Sequence, residues 1–164
     1  MEYTEAQHKH NFAVWAGSRA AQRGFTRVEY LKVSLEKCGV VECAENNFVD
    51  MVSEEFDHKH VNWCQSICGY LNNLKIQKVS YGRAAKLIAV YLKSIIVMPD
   101  LRSPKAAFIH PPIDRILLQH LSKKDDLDNK TKKYLKNIKW TELKKNEYFT
   151  LIYELKKIIG DNPF

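Results

Sequence analysis

Between residues 81 and 97 apolar side chains occupy most of a helical circumference: Leu87, Ile88, Val90, Tyr91, Leu92, Ile95 and Ile96. A helix that is greasy on all sides must be surrounded by others. Ser80 is placed to cap it. The apolar run 87–98 is interrupted by Lys93 and is too short to span a bilayer. Helical spacing dominates elsewhere as well, and no segment sustains a period of two. The pattern predicts an all-α fold: residues 1–164 as a compact single-domain bundle of six or seven helices around one buried central helix.

The spacing places a first helix over about residues 4–23, with Thr4 as cap and Gly24 as stop, and a second over 27–38, capped by Thr26 and continuing loosely through 40–44. Asn46 or Asn47 opens a third reaching residue 74, whose core stripe is Phe56, His60, Trp63, Ile67, Leu71 and Leu74. After the central helix, residues 98–109 form a long loop, a length uncommon unless functional. A further helix covers 111–122, with Pro111 and Pro112 in its first turn. A short one covers 130–137, and a last one, starting at Thr141 or Asn146, runs to 159. Small residues make two ridges, Gly82, Ala85 and Ala89 on the central helix and Ala13, Gly17, Ala20 and Gly24 on the first, suited to close packing.

The net charge of +7 is uneven. Residues 1–75 carry 8 basic and 10 acidic side chains, residues 76–122 carry 7 and 2, and residues 123–164 carry 11 and 7. A positive second half favours a polyanionic partner, nucleic acid first, whereas the lysines of 123–145 taken alone fit a solubilising surface. The N-terminus lacks the basic and apolar regions of a signal peptide, so a cytoplasmic chain with reduced Cys38, Cys43, Cys64 and Cys68 is expected.

His60, Cys64 and Cys68 fall on one helix face, but two turns separate the outer pair by roughly 12 Å, too far to share one zinc ion. No metal or cofactor is therefore expected. The pairs His8/His10 and His58/His60 read as solvent-facing. Arg19 and Arg23, one turn apart near Phe12 and Trp15, suit a phosphate clamp or ion pairs with Glu29 or Glu36. On the central helix Arg83, Lys86 and Lys93 share a stripe. A buried lysine there acts as a nucleophile once its proton is lost, or simply snorkels. Asp114, at a proline-led helix start, is held ionised by the helix dipole, and it either stabilises a developing cation or merely caps.

The stretch Gly82-Arg83-Ala84-Ala85-Lys86-Leu87-Ile88-Ala89-Val90-Tyr91-Leu92-Lys93, followed after a loop by His110-Pro111-Pro112-Ile113-Asp114-Arg115-Ile116-Leu117, resembles the core of helix-hairpin-helix DNA glycosylases over about a quarter of the chain. It is also similar to uncharacterised bacterial proteins. The resemblance implies a catalytic lysine at Lys86 and a catalytic carboxylate at Asp114, with Lys78, Ser80, Gly82 and Arg83 around the hairpin holding DNA phosphates. The family's hairpin carries two glycines, and Ser80-Tyr81-Gly82 offers one. The function expected is a nucleic-acid-acting helical protein of base-excision, glycosylase/lyase type, with DNA contacts through Lys78, Ser80, Gly82, Arg83, Arg19 and Arg23. The alternative is a non-catalytic helical module binding an anionic partner, nucleic acid or acidic protein. A small phosphorylated metabolite would use the same cationic stripe, but no phosphate-loop or dinucleotide signature is present.

Overall fold

A computed structural model describes residues 3–22, 24–46, 48–49 and 51–160. Among them are eight α-helices and no strand: α1 (Glu5–Gln22), α2 (Val28–Lys37), α3 (Val40–Glu45), α4 (Ser53–Asn73), α5 (Tyr81–Leu92), α6 (Arg115–Leu121), α7 (Asn129–Asn137) and α8 (Lys145–Ile159). The expected centre is the centre. Ten of the 12 residues of α5 are buried, and α1, α2, α4 and α8 pack around it. Ser80 caps α5, its hydroxyl accepting from the Arg83 amide at 3.2 Å. No described helix is long and apolar enough to cross a membrane.

The other helix boundaries match expectation in part. Thr4 and Gln7 exchange reciprocal capping bonds of 3.2 and 3.0 Å at α1, and Gly24 ends that helix in the left-handed region at φ 68°. The cap of α2, however, is Arg27 rather than Thr26. The loose continuation after it is a separate helix, because Gly39 turns the chain at φ 96° into α3. Helix α4 starts at Ser53, well after Asn46, and Asn47 lies outside the described residues. The intervening chain is anchored by Phe48, only 4% exposed, whose ring meets Phe56, Trp63 and Phe108 at 6.1–6.4 Å. The core stripe of α4 is as expected to Leu71, whereas Leu74 is exposed. Pro111 and Pro112 lie before α6, outside any helix, and Thr141 sits in a short 3-10 turn (Trp140–Glu142) before α8.

The small residues serve two different contacts. On α1, a Cβ at Gly17 would sit 3.0 Å from the Leu87 carbonyl oxygen and 3.5 Å from the Tyr91 amide, so this glycine sets the close approach to α5. Gly82 faces the other way, away from α1. Its amide donates to the Leu143 carbonyl at 3.0 Å, and a Cβ there would fall on the Trp140 carbonyl oxygen. Gly82→Ala is therefore expected to push the 140–143 segment off α5, at about 1–3 kcal/mol, the usual cost of overpacking. Gly69→Ala, where a Cβ meets nothing within 4 Å, is the control. Equal urea midpoints for Gly82→Ala and wild type would refute this docking.

Candidate active site

Lys86 and Asp114, separated by 28 positions in the chain, meet at 3.2 Å between Nζ and Oδ2. Each is positioned by local sequence. Lys86 lies one turn after Ser80-Tyr81-Gly82-Arg83 on the buried helix and is 4% exposed. Its ammonium sits over the Trp140 ring, 4.4 Å from the centroid, a cation–π arrangement. Asp114 is the cap of α6 rather than a first-turn residue, its Oδ1 accepting from the Leu117 amide at 2.9 Å. Burial works to raise the Asp114 pKa, but the Leu117 amide and the Lys86 ammonium outweigh it and hold the carboxyl below its usual value.

Asp114 also borders a pocket of about 490 Å³ whose walls include Val97, Ile109, Pro111 and Leu117, with Lys93 and His120 among its lining. Its size is that of small-ligand sites. One wall comes from a π turn, Lys93–Val97, that continues α5, where the Met98 amide reaches back to the Lys93 carbonyl at 2.8 Å. The Ser94 hydroxyl donates to the Val90 carbonyl at 2.9 Å in the same stretch. Such turns recur at functional sites. Lys86 lies behind Asp114 and is not part of the pocket lining. Lys93 is exposed, its head in solvent as the snorkelling reading expects.

The N-terminal end of α5 is more closed than its sequence suggests. The Gly82 amide is committed to Leu143, the Arg83 amide to Ser80, and the Ser80 hydroxyl donates to the Thr141 carbonyl at 2.7 Å. None of these groups is open to a phosphate in this arrangement. The Arg83 guanidinium lies over Phe25, 4.4 Å from the ring centroid, and burial lowers its pKa. Lys78 and Arg19 are exposed. Arg19 donates to Gln22 Oε1 at 3.1 Å, with no ion pair to Glu29 or Glu36 among the described residues. Arg23 lies outside the described residues.

A second polar cluster fills the core behind the pocket. His60, which the α4 stripe sets on the core side although the His58/His60 pair reads as solvent-facing, is 1% exposed. Its Nδ1 is 2.9 Å from the Tyr81 hydroxyl, and its ring stacks on Tyr148 with centroids 5.3 Å apart. His110 Nε2 lies 2.9 Å from Asp57 Oδ1, and its Nδ1 lies 3.2 Å from the Tyr148 hydroxyl. Burial drives the pKa of His60 well below its usual value, helped by His110, and lowers that of His110 despite Asp57. Sequence reasoning missed His110, Asp57 and Tyr148. The available signals were a histidine directly before Pro111-Pro112 and an acid one turn before His60 on the core face.

The thiols are held in their protonated form. Burial raises Cys64 well above its usual pKa and Cys38 and Cys68 to about 11, which disfavours the nucleophilic thiolate. Among the described residues no group of three metal-ligating side chains converges. Comparison with protein-family models, curated proteins and solved structures finds no match.

Proposed function

We propose that this chain acts on nucleic acid as a base-excision enzyme of glycosylase type, with Asp114 as the group that meets the substrate. The observation carrying this reading is the Lys86–Asp114 contact at 3.2 Å, with Asp114 on the border of an apolar pocket, which brings together the two positions that the resemblance pairs. In this reading a base leaves the stack and enters the pocket. The glycosidic bond breaks with its electron pair going to the departing base. Ionised Asp114 stabilises the positive charge left on the sugar, and a water oxygen bonds to the anomeric carbon, its proton passing to the departed base. An ammonium held against a carboxylate does not attack carbon. The closed pair thus favours water as nucleophile, and a lyase step through Lys86 requires its amine to leave Trp140 and lose its proton.

One observation favours the binding-module reading instead: Lys86 is 4% exposed, as a structural ion pair under Trp140 would be. Borohydride trapping and base release on a panel of damaged duplexes separate the two. Release without trapping supports water attack, trapping supports the lysine, and neither leaves the module.

Both readings share an electrostatic expectation. DNA affinity falls with salt, and replacing exposed Lys78 or Arg19 by glutamine lowers the slope of log affinity against log salt by about one each if each holds a phosphate. Anisotropy titrations at several salt concentrations measure this. Failure of both duplex and single-stranded DNA to bind at low salt rules out nucleic acid.

A further inference from the structure

The most cationic helix lies away from the Lys86–Asp114 site. Helix α7 carries Lys130, Lys132, Lys133 and Lys136 and no acid. Along it run two adjoining hollows, together the α7 groove, of about 660 and 380 Å³, that share Tyr134, Asn137 and Ile138. The larger extends over the 3-10 turn to the start of α8, bringing in Lys139, Lys144 and Asn146. Lys130 and Lys133 border the smaller.

The two acids in the groove are already engaged by the chain itself. Glu142 lies 3.7 Å from Lys139 Nζ, and Glu147 accepts from the Lys144 amide at 2.8 Å. Lys130, Lys133 and Lys144 form no ion pair among the described residues. The Tyr134 ring, 38% exposed, lies where the hollows meet. A third hollow, which shares Asn137, Ile138, Lys139 and Glu142 with the larger one, reaches Arg115, the neighbour of Asp114.

We propose that this groove is a binding track for single-stranded nucleic acid, an inference that rests on the nucleic-acid reading above and adds a surface to it. Cationic rims follow a phosphate backbone, and an exposed aromatic ring between them offers a face for stacking. A base is free to stack on Tyr134 only when it is unstacked from its neighbours, which selects a single strand over a duplex. Asn137 and Asn146 supply paired donors and acceptors for base edges. An acidic peptide would satisfy the lysines but would leave the aromatic face unused.

The test is anisotropy with a labelled oligothymidylate and with a duplex of the same length, using the full chain. The single strand is expected to bind more tightly. A triple Lys130→Gln, Lys133→Gln, Lys144→Gln variant is expected to lower the salt slope by about two, at roughly 0.7 per single-strand phosphate contact. Tyr134→Leu is expected to weaken binding about tenfold with the slope unchanged. Wild-type binding by both variants overturns the track. So does equal binding of the duplex with Tyr134→Leu silent, or displacement by polyglutamate as efficient as by unlabelled oligothymidylate. Base release is read separately. Binding through α7 without any base release upholds the track and overturns the enzyme, whereas release from variants with unchanged binding overturns the track alone.

Discussion

Asp114→Asn is expected to reduce base release from damaged duplexes by about 10²–10³-fold, the usual effect of deleting a charge aimed at a developing transition state. The substitution is chosen because asparagine still accepts from the Leu117 amide and so preserves the cap of α6. It does remove the carboxylate beside a lysine that is 4% exposed, and a stability cost of about 3 kcal/mol accompanies loss of one partner from such a pair. Rates are therefore compared well below the unfolding transition of the variant. Lys86→Met is the companion. Methionine retains the packing against Trp140 and removes the cation. If Lys86 only holds Asp114 ionised, release persists in Lys86→Met and the acidic limb of its pH profile moves upward, because one of the groups keeping the carboxyl low is gone. If Lys86 is the nucleophile, release and borohydride trapping disappear together. A wild-type protein that releases no base from any lesion leaves Lys86 and Asp114 as a buried structural pair.

The centre of the fold was legible because burial on all sides leaves an unmistakable pattern. A helix with Leu87, Ile88, Tyr91 and Leu92 facing in different directions has no place except the middle, and Ser80 marks its start by chemistry that is local. The same holds for the α4 face from Phe56 to Leu71. What failed was decided at a distance. Asn46 and Thr26 are good caps in isolation, yet Phe48 inserts among Phe56, Trp63 and Phe108 instead of continuing a helix, contacts that reach 60 positions away. Gly82 reads as part of a small-residue ridge, but which neighbour fills the space above it depends on where residues 140–143 dock.

The same division applies to the candidate site. Lys86 and Asp114 were each visible from a lysine in a greasy helix and an acid after Pro111-Pro112, and the loop between them allowed their approach. Trp140 was not visible, since nothing near Lys139-Trp140-Thr141 announces a lid over Lys86. His60 was legible from its i, i+3 and i+4 spacing with Phe56, Trp63 and Cys64, which sets it on the core side, whereas the pairing with His58 pointed wrongly to solvent.

The buried histidines lead to the second large effect, a loss of stability in mildly acidic solution. His60 and His110 have ring centroids 4.8 Å apart, and both pKa values lie below the usual 6.5 in the folded chain. The unfolded chain therefore binds protons at a pH where the folded chain does not, so stability is full above about pH 6.5 and declines as the pH falls below it. Each proton taken up on unfolding steepens the decline by about 1.4 kcal/mol per pH unit, and two histidines together approach about 2.7. Asp57 faces His110 at 2.9 Å and moderates its share, while Tyr81, Tyr148 and Cys64, whose pKa values burial raises, stay neutral throughout. Urea unfolding at intervals between pH 7 and pH 5 measures the slope. His60→Phe keeps a ring stacked on Tyr148 but cannot titrate, so its stability at pH 7 falls with loss of the Tyr81 contact while its pH slope drops by about half. Equal slopes in wild type and His60→Phe, or a wild-type midpoint unchanged from pH 7 to pH 5, would place the protonation of these imidazoles outside the folding equilibrium.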